Sequence, residues 1–202
     1  MSPFYKFLKV ICTAIFKLLW FVKITPPKDE LENRGGVVCS NHISAVDPVF
    51  LGLGMKRQIW FFAKAEIWKV PVLRLLAKKF AVPVNRGAAD IGAMRKAIDV
   101  IKGGKILTVF PQGTRRRKVR PADTAAKNGI AMMAYRAKCD VIPAYIHTKN
   151  YKVRIFRRVS VIYGEPIRYS ELGFVSGDSA ELERAAKYIW ERICALAPTE
   201  DR

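Results

Sequence analysis

The sequence predicts an α/β domain, a mixed and mostly parallel sheet covered by helices, preceded by an N-terminal amphipathic helix. Three observations carry this. Short apolar runs alternate along the chain with segments of helical spacing, the pattern of a sheet with helices packed on it. His42, Lys64, Arg86 and Phe110-Pro111-Gln112-Gly113-Thr114-Arg115 each follow one of those runs, and functional residues gather where strands end in such sheets. The 202 residues, half of them hydrophobic, suit one domain with a sizeable core.

In chain order, residues 1–27 form an N-terminal helix and linker, and residues 28–202 the main domain. From Ser2 to Ile24, Phe, Leu, Ile and Trp are interspersed with Lys6, Lys9, Lys17 and Lys23. At ~100° per residue the lysines fall in one stripe, opposite Phe4, Phe7, Leu8, Ile11, Ile15, Leu18 and Val22. Lysine throughout argues against a transmembrane span, and no signal-peptide pattern fits. An amphipathic helix in the membrane interface fits better, although Phe16 and Trp20 intrude on the polar stripe. A helix docked on the protein's own core is the other reading. Membrane is favoured, because so many large aromatics are costly to leave in water.

Thr25-Pro26-Pro27-Lys28-Asp29 reads as a linker. Gly36–Ser40 is a buried strand, and Asp47-Pro48 opens a helix, with proline suited to its first position and Asp47 to its cap. Gln58–Ala63 is a strand ending at Lys64. Pro71–Lys79 is a short helix. Phe80–Val84 is a strand ending at Asn85-Arg86-Gly87. Ala88–Lys102 is a helix closed by Gly103-Gly104. Lys105–Phe110 is a strand, Ala122–Lys138 a helix, Val141–Ile146 a strand, Val153–Tyr163 one or two strands, and Ser179–Leu196 a closing helix with an acidic first turn.

The net charge of +19 implies an anionic partner. The basic residues match no nucleic-acid module, so no nucleic-acid partner is expected. Four dispersed cysteines and two histidines suggest a reducing compartment and no metal site. His42 on a turn and Asp47 near a helix start are five apart, about 140° around an ideal helix, so a turn must bring them together if they meet. A carboxylate-oriented imidazole can take a proton from a substrate hydroxyl; separate turn and helix caps are the plainer reading of an isolated HxxxxD. Cations beside such a base, if the strands are parallel neighbours, suit a hydroxyl substrate carrying a phosphate. Gly113 lets backbone approach an anion closely.

Asn41-His42-(four residues)-Asp47, Val82-Pro83-Val84-Asn85-Arg86, Phe110–Arg115 and Val141-Ile142-Pro143 resemble, in order and spacing, the four sequence blocks of the glycerolipid acyltransferases. The closest resemblance is to the bacterial 1-acylglycerol-3-phosphate (lysophosphatidate) acyltransferases, from about Asn33 to Ile167. The resemblance implies a 1-acylglycerol-3-phosphate O-acyltransferase with His42 as general base and Asp47 orienting it. It implies Arg115, Arg86 and Lys64 on the acceptor phosphate, and Gln112, Gly113 and Thr114 shaping the acceptor loop. It implies no metal or cofactor, an acyl-CoA or acyl-carrier-protein co-substrate, a lysophospholipid acceptor, and a peripheral or monotopic place on the cytoplasmic face of an anionic membrane. The family usually has Glu where this chain has Gln112. The lost charge keeps another lysolipid acceptor open, and the net charge of +19 by itself would also allow a non-catalytic basic membrane-binding relative.

Overall fold

The computed structural model describes residues 2–64, 80–84 and 90–199. Seven strands form one sheet: β1 (Lys23–Thr25), β2 (Gly36–Ser40), β3 (Ile59–Lys64), β4 (Ala81–Val84), β5 (Ile106–Val109), β6 (Asp140–His147) and β7 (Ser160–Tyr163), in the order β1-β7-β6-β2-β5-β3-β4. Every neighbouring pair is parallel except β6 with β7, which is antiparallel. The sheet is therefore mixed and mostly parallel, as the sequence predicts.

Among the described residues, five α-helices cover it: α1 (Pro3–Trp20), α2 (Asp47–Gly54), α3 (Ile91–Lys102), α4 (Gly129–Ala137) and α5 (Ser179–Cys194). Successive residues of a strand point to opposite faces. Val37 and Cys39 of β2 meet Ala97 and Ile101 of α3, Ile130 and Ala134 of α4, and Ile189 and Ile193 of α5. Val38, between them, belongs to the other face with Phe16 of α1 and Phe50 and Leu51 of α2. The central strands are buried on both sides, which is why they read as continuous apolar runs. Helix starts are capped as side-chain chemistry favours: Asp90 accepts the Ala93 N–H, and Asp178 the Glu181 N–H.

Several expectations need correction. Residues 23–25 continue no helix and begin no linker; they form β1, parallel to β7. The α1 helix does dock on the core, through the very residues that break its polar stripe. Phe16 is buried, its ring 5.2 Å from that of Phe50, with Trp20 5.8 Å from the same ring. The opposite face of α1 stays exposed: Phe4, Phe7, Val10, Ile11, Ile15 and Leu18. The expected helix over 122–138 is shorter, because its first third is held by tertiary bonds. The Lys127 N–H goes to the Pro111 carbonyl and the Thr124 carbonyl takes the Trp190 indole N–H. Strand structure between Val153 and Val159 is absent; that stretch loops outward, with Ile155 and Phe156 exposed. The expected helix at Pro71–Lys79 lies outside the described residues. Among the described residues, no helix is long and apolar enough to cross a membrane.

Candidate active site

The strands β2, β5, β3 and β4 run parallel side by side, so their carboxyl ends share one edge. His42 follows β2 there. Its backbone is clamped on both sides by the loop after β5: its N–H donates to Gln112 Oε1 at 2.7 Å, and its carbonyl accepts the Arg116 N–H at 2.7 Å. The neighbouring Asn41 side chain bonds both the N–H and the carbonyl of Ile146 in β6, which fixes the turn to the sheet. Phe110 stacks on the imidazole, ring centroids 4.1 Å apart and planes inclined by 15°. The ring is thus held in plane and position before any substrate arrives.

Asp47 is fully buried, and its Oδ2 lies 2.8 Å from His42 Nδ1. The same oxygen accepts the N–H groups of Ile43 and Ser44 at 2.7 Å each. Asp47 is the first residue of α2 and does not cap it; Val46 stands at the cap without a side-chain bond. The carboxylate turns back into the His42–Ser44 turn, so a residue five positions away reaches the imidazole. Burial pushes the Asp47 carboxyl up, while the bonds from His42, Ser44 and Ile43 pull the other way. With Nδ1–H directed at the carboxylate, Nε2 is left as the acceptor on a ring that lines a cavity. A hydroxyl brought to Nε2 can lose its proton there, and the carboxylate stabilises the imidazolium that forms.

The cavity is about 500 Å³. Its polar groups include His42, Thr108, Arg115 and Lys127, and its apolar ones Phe61, Phe62, Met94, Ile130 and Met133. It can hold a charged head beside the imidazole and a hydrocarbon chain against the helices. Gly113 adopts φ +71°, and a Cβ there would stand 3.2 Å from the Lys127 Cδ and Cε. The bare glycine lets the Lys127 stem cross the loop into the cavity lining. Lys127 was missed in the sequence because it falls inside the segment read as helix; only its tertiary bond to Pro111 brings it here.

The other expected residues divide. Arg115 lines the cavity, and Thr114 is exposed on the same loop. Gln112 is buried, and both ends of its amide are used within the protein. Oε1 takes the His42 N–H, and Nε2 donates to Thr124 Oγ1 at 2.8 Å, which in turn donates to the Pro121 carbonyl at 2.7 Å. Lys64 is the last residue of β3, in register with Val84 at the same edge. Arg86 lies outside the described residues. Glu165 pairs with Lys28 at 2.8 Å on the surface. Among the described residues, no three His, Cys, Asp or Glu side chains converge to hold a metal ion.

A family profile described as Acyltransferase matches residues 22–147. The 1-acyl-sn-glycerol-3-phosphate acyltransferase of Bacillus subtilis is 28% identical over 171 residues, covering 83% of this chain and 84% of its own. The protein of the same name from Borreliella burgdorferi is 28% identical over 118 residues, 56% of this chain and 46% of its own. The crystal structure of the 1-acyl-sn-glycerophosphate (LPA) acyltransferase of Thermotoga maritima superposes with a TM-score of 0.70 at 26% identity, covering 96% of this chain and 81% of that one.

Proposed function

This chain belongs to the acyltransferase family, and from that premise we propose that it moves a fatty acyl group from an acyl thioester to the free hydroxyl of 1-acylglycerol 3-phosphate, giving phosphatidic acid. The observation that carries this is the His42–Asp47 contact of 2.8 Å on a cavity that also carries Arg115 and Lys127. His42 Nε2 takes the proton of the acceptor hydroxyl as its oxygen attacks the thioester carbonyl. Asp47 keeps the imidazole in the required tautomer and balances its charge. The tetrahedral adduct collapses by breaking the C–S bond, and the imidazolium returns the proton to the leaving sulfur. The acyl group passes directly from sulfur to oxygen, with no acyl-enzyme.

Arg115 and Lys127, joined by Lys64 and Arg86, hold the acceptor phosphate. The donor chain lies against Phe61, Phe62, Met94 and Met133, and the donor is acyl-CoA or acyl carrier protein. Gln112 is buried and both its polar atoms are bonded within the protein, which makes it a support of the His42 turn and gives no support to a different acceptor. The exposed apolar face of α1 rests in an anionic bilayer, on the cytoplasmic face of the cell membrane, where the acceptor resides. Transfer of a labelled acyl group tested against lysophosphatidate, other lysolipids and a phosphate-free monoacylglycerol checks the acceptor. Product with lysophosphatidate in clear excess supports the reading; equal product with the phosphate-free acceptor removes the phosphate site.

A further inference from the structure

The loop between β6 and β7 is outside the site just described and matches no sequence block, yet it is built at a cost. Asn150, Tyr151 and Phe156 all have positive φ, of 58°, 48° and 60°. For a bulky side chain that region is strained, and such strain persists only where surrounding structure enforces it. The enforcement is visible. The Phe156 N–H donates to the Leu19 carbonyl at 2.6 Å, the Val159 N–H to the Trp20 carbonyl at 3.1 Å, and the Thr148 hydroxyl to the Arg158 carbonyl at 2.9 Å. What this holds in place is an apolar tip in water: Phe156 is 70% exposed and Ile155 57%. The tip adjoins the end of α1, where Leu18 is 69% exposed and Phe21 52%.

Around the tip the charge is of one sign. Arg154, Lys118, Arg117 and Arg157 crowd Lys152 and lower its pKa. The Lys118 N–H donates to the Tyr151 carbonyl, so the basic loop that carries Arg115 and Arg116 is tied to this one. Among the described residues, no ion pair neutralises any of these five cations. An apolar tip ringed by unneutralised cations is complementary to one kind of surface: acyl chains beneath anionic headgroups.

We propose that the 149–158 loop is a second membrane element, distinct from α1, in which Ile155 and Phe156 enter the bilayer and Arg117, Lys118, Lys152, Arg154 and Arg157 bind lipid phosphates. It rests on the reading that this protein works on lipid. It gives the active-site loop its own tether to the interface, since Arg116 of that loop bonds the His42 carbonyl. The basic loop then serves headgroups outside the cavity and Arg115 the acceptor within it.

The test is partition of the full chain onto phosphatidylcholine vesicles with and without phosphatidylglycerol. The variants are Ile155→Ser with Phe156→Gly, Lys152→Gln with Arg154→Gln, and, for α1, Phe7→Ser with Leu18→Ser. The tip variant is expected to lose roughly tenfold in partition on both vesicles. The charge variant loses only the gain from phosphatidylglycerol, about fivefold per cation. Phe156→Gly alone relieves the positive φ, so the melting temperature holds or rises while binding falls; a lowered melting temperature would mark the phenylalanine as structural and overturn the proposal. Unchanged partition of the tip variant, with the α1 variant unbound, would leave α1 the sole anchor and also overturn it. So would unchanged partition with transfer lost from acyl carrier protein but not from acyl-CoA, which would assign the surface to the carrier. Wild type that binds vesicles with the expected variant losses but transfers nothing would remove the acyl-transfer reading and leave this one standing.

Discussion

The side-chain oxygen of Gln112 accepts the backbone N–H of His42 at 2.7 Å, across 70 residues of sequence. The residue that departs from the family's usual Glu is thus part of the base's support. Its hydrogen bonds run in one direction, from Gln112 Nε2 to Thr124 Oγ1 and from Thr124 to the Pro121 carbonyl.

Gln112→Glu and Gln112→Leu should therefore part company. Glu keeps an acceptor for His42 N–H, and the Thr124 hydroxyl turns from Pro121 to donate to it; activity stays within about threefold. Leu leaves a buried N–H without a partner, which costs about 1–3 kcal/mol. Urea unfolding and transfer rates on both variants check this, and equal behaviour of the two would contradict the relay.

Asp47→Asn removes the charge that balances the imidazolium while keeping the side chain's shape. The expected result is a fall in kcat of about 10²–10⁴ with little change in the KM for lysophosphatidate. Circular dichroism should show the fold retained. A rise in KM alone would make Asp47 a binding residue.

Lys127→Met should raise the KM for lysophosphatidate about tenfold or more, the loss of one charge-assisted hydrogen bond. The KM for a phosphate-free monoacylglycerol should stay unchanged. Gly113→Ala should mimic it in part, because a Cβ there displaces the Lys127 stem and strains a φ of +71°. Steady-state kinetics on both acceptors provides the comparison.

How much of this was legible in the sequence depended on what holds each piece. β2, β5 and β6 are buried on both faces, and their apolar runs showed it. Asn41, His42 and Asp47 were legible through block spacing, but not the turn that makes the pair meet. β1 escaped notice because its exposed Lys23 and Thr25 carry no core pattern; its place comes from pairing with β7. The irregular run from Thr124 to Asn128, and Lys127 with it, depends on bonds to Pro111 and Trp190 that no local pattern encodes. On α1, Phe16 and Trp20 looked like intrusions on the polar stripe because their partner Phe50 is distant in sequence.

The buried thiols give a pH prediction. Burial pushes the Cys139 thiol up to about 12 and raises Cys39 as well, from an ordinary value of 9.0. The folded pKa values are raised, so this contribution to stability is complete below pH 9 and lost as pH rises from there towards 12. Urea midpoints should fall across that window, and less so in Cys139→Ser. Ellman's reagent at neutral pH should reach the half-buried Cys12 and Cys194 well before Cys39 and Cys139.

The most direct test is transfer of a labelled acyl group from an acyl thioester to lysophosphatidate on vesicles, wild type beside His42→Ala. The account predicts product from wild type and a fall of about 10²–10⁴ in His42→Ala with vesicle binding retained. Undiminished transfer by His42→Ala would contradict it, since the base would then be another group.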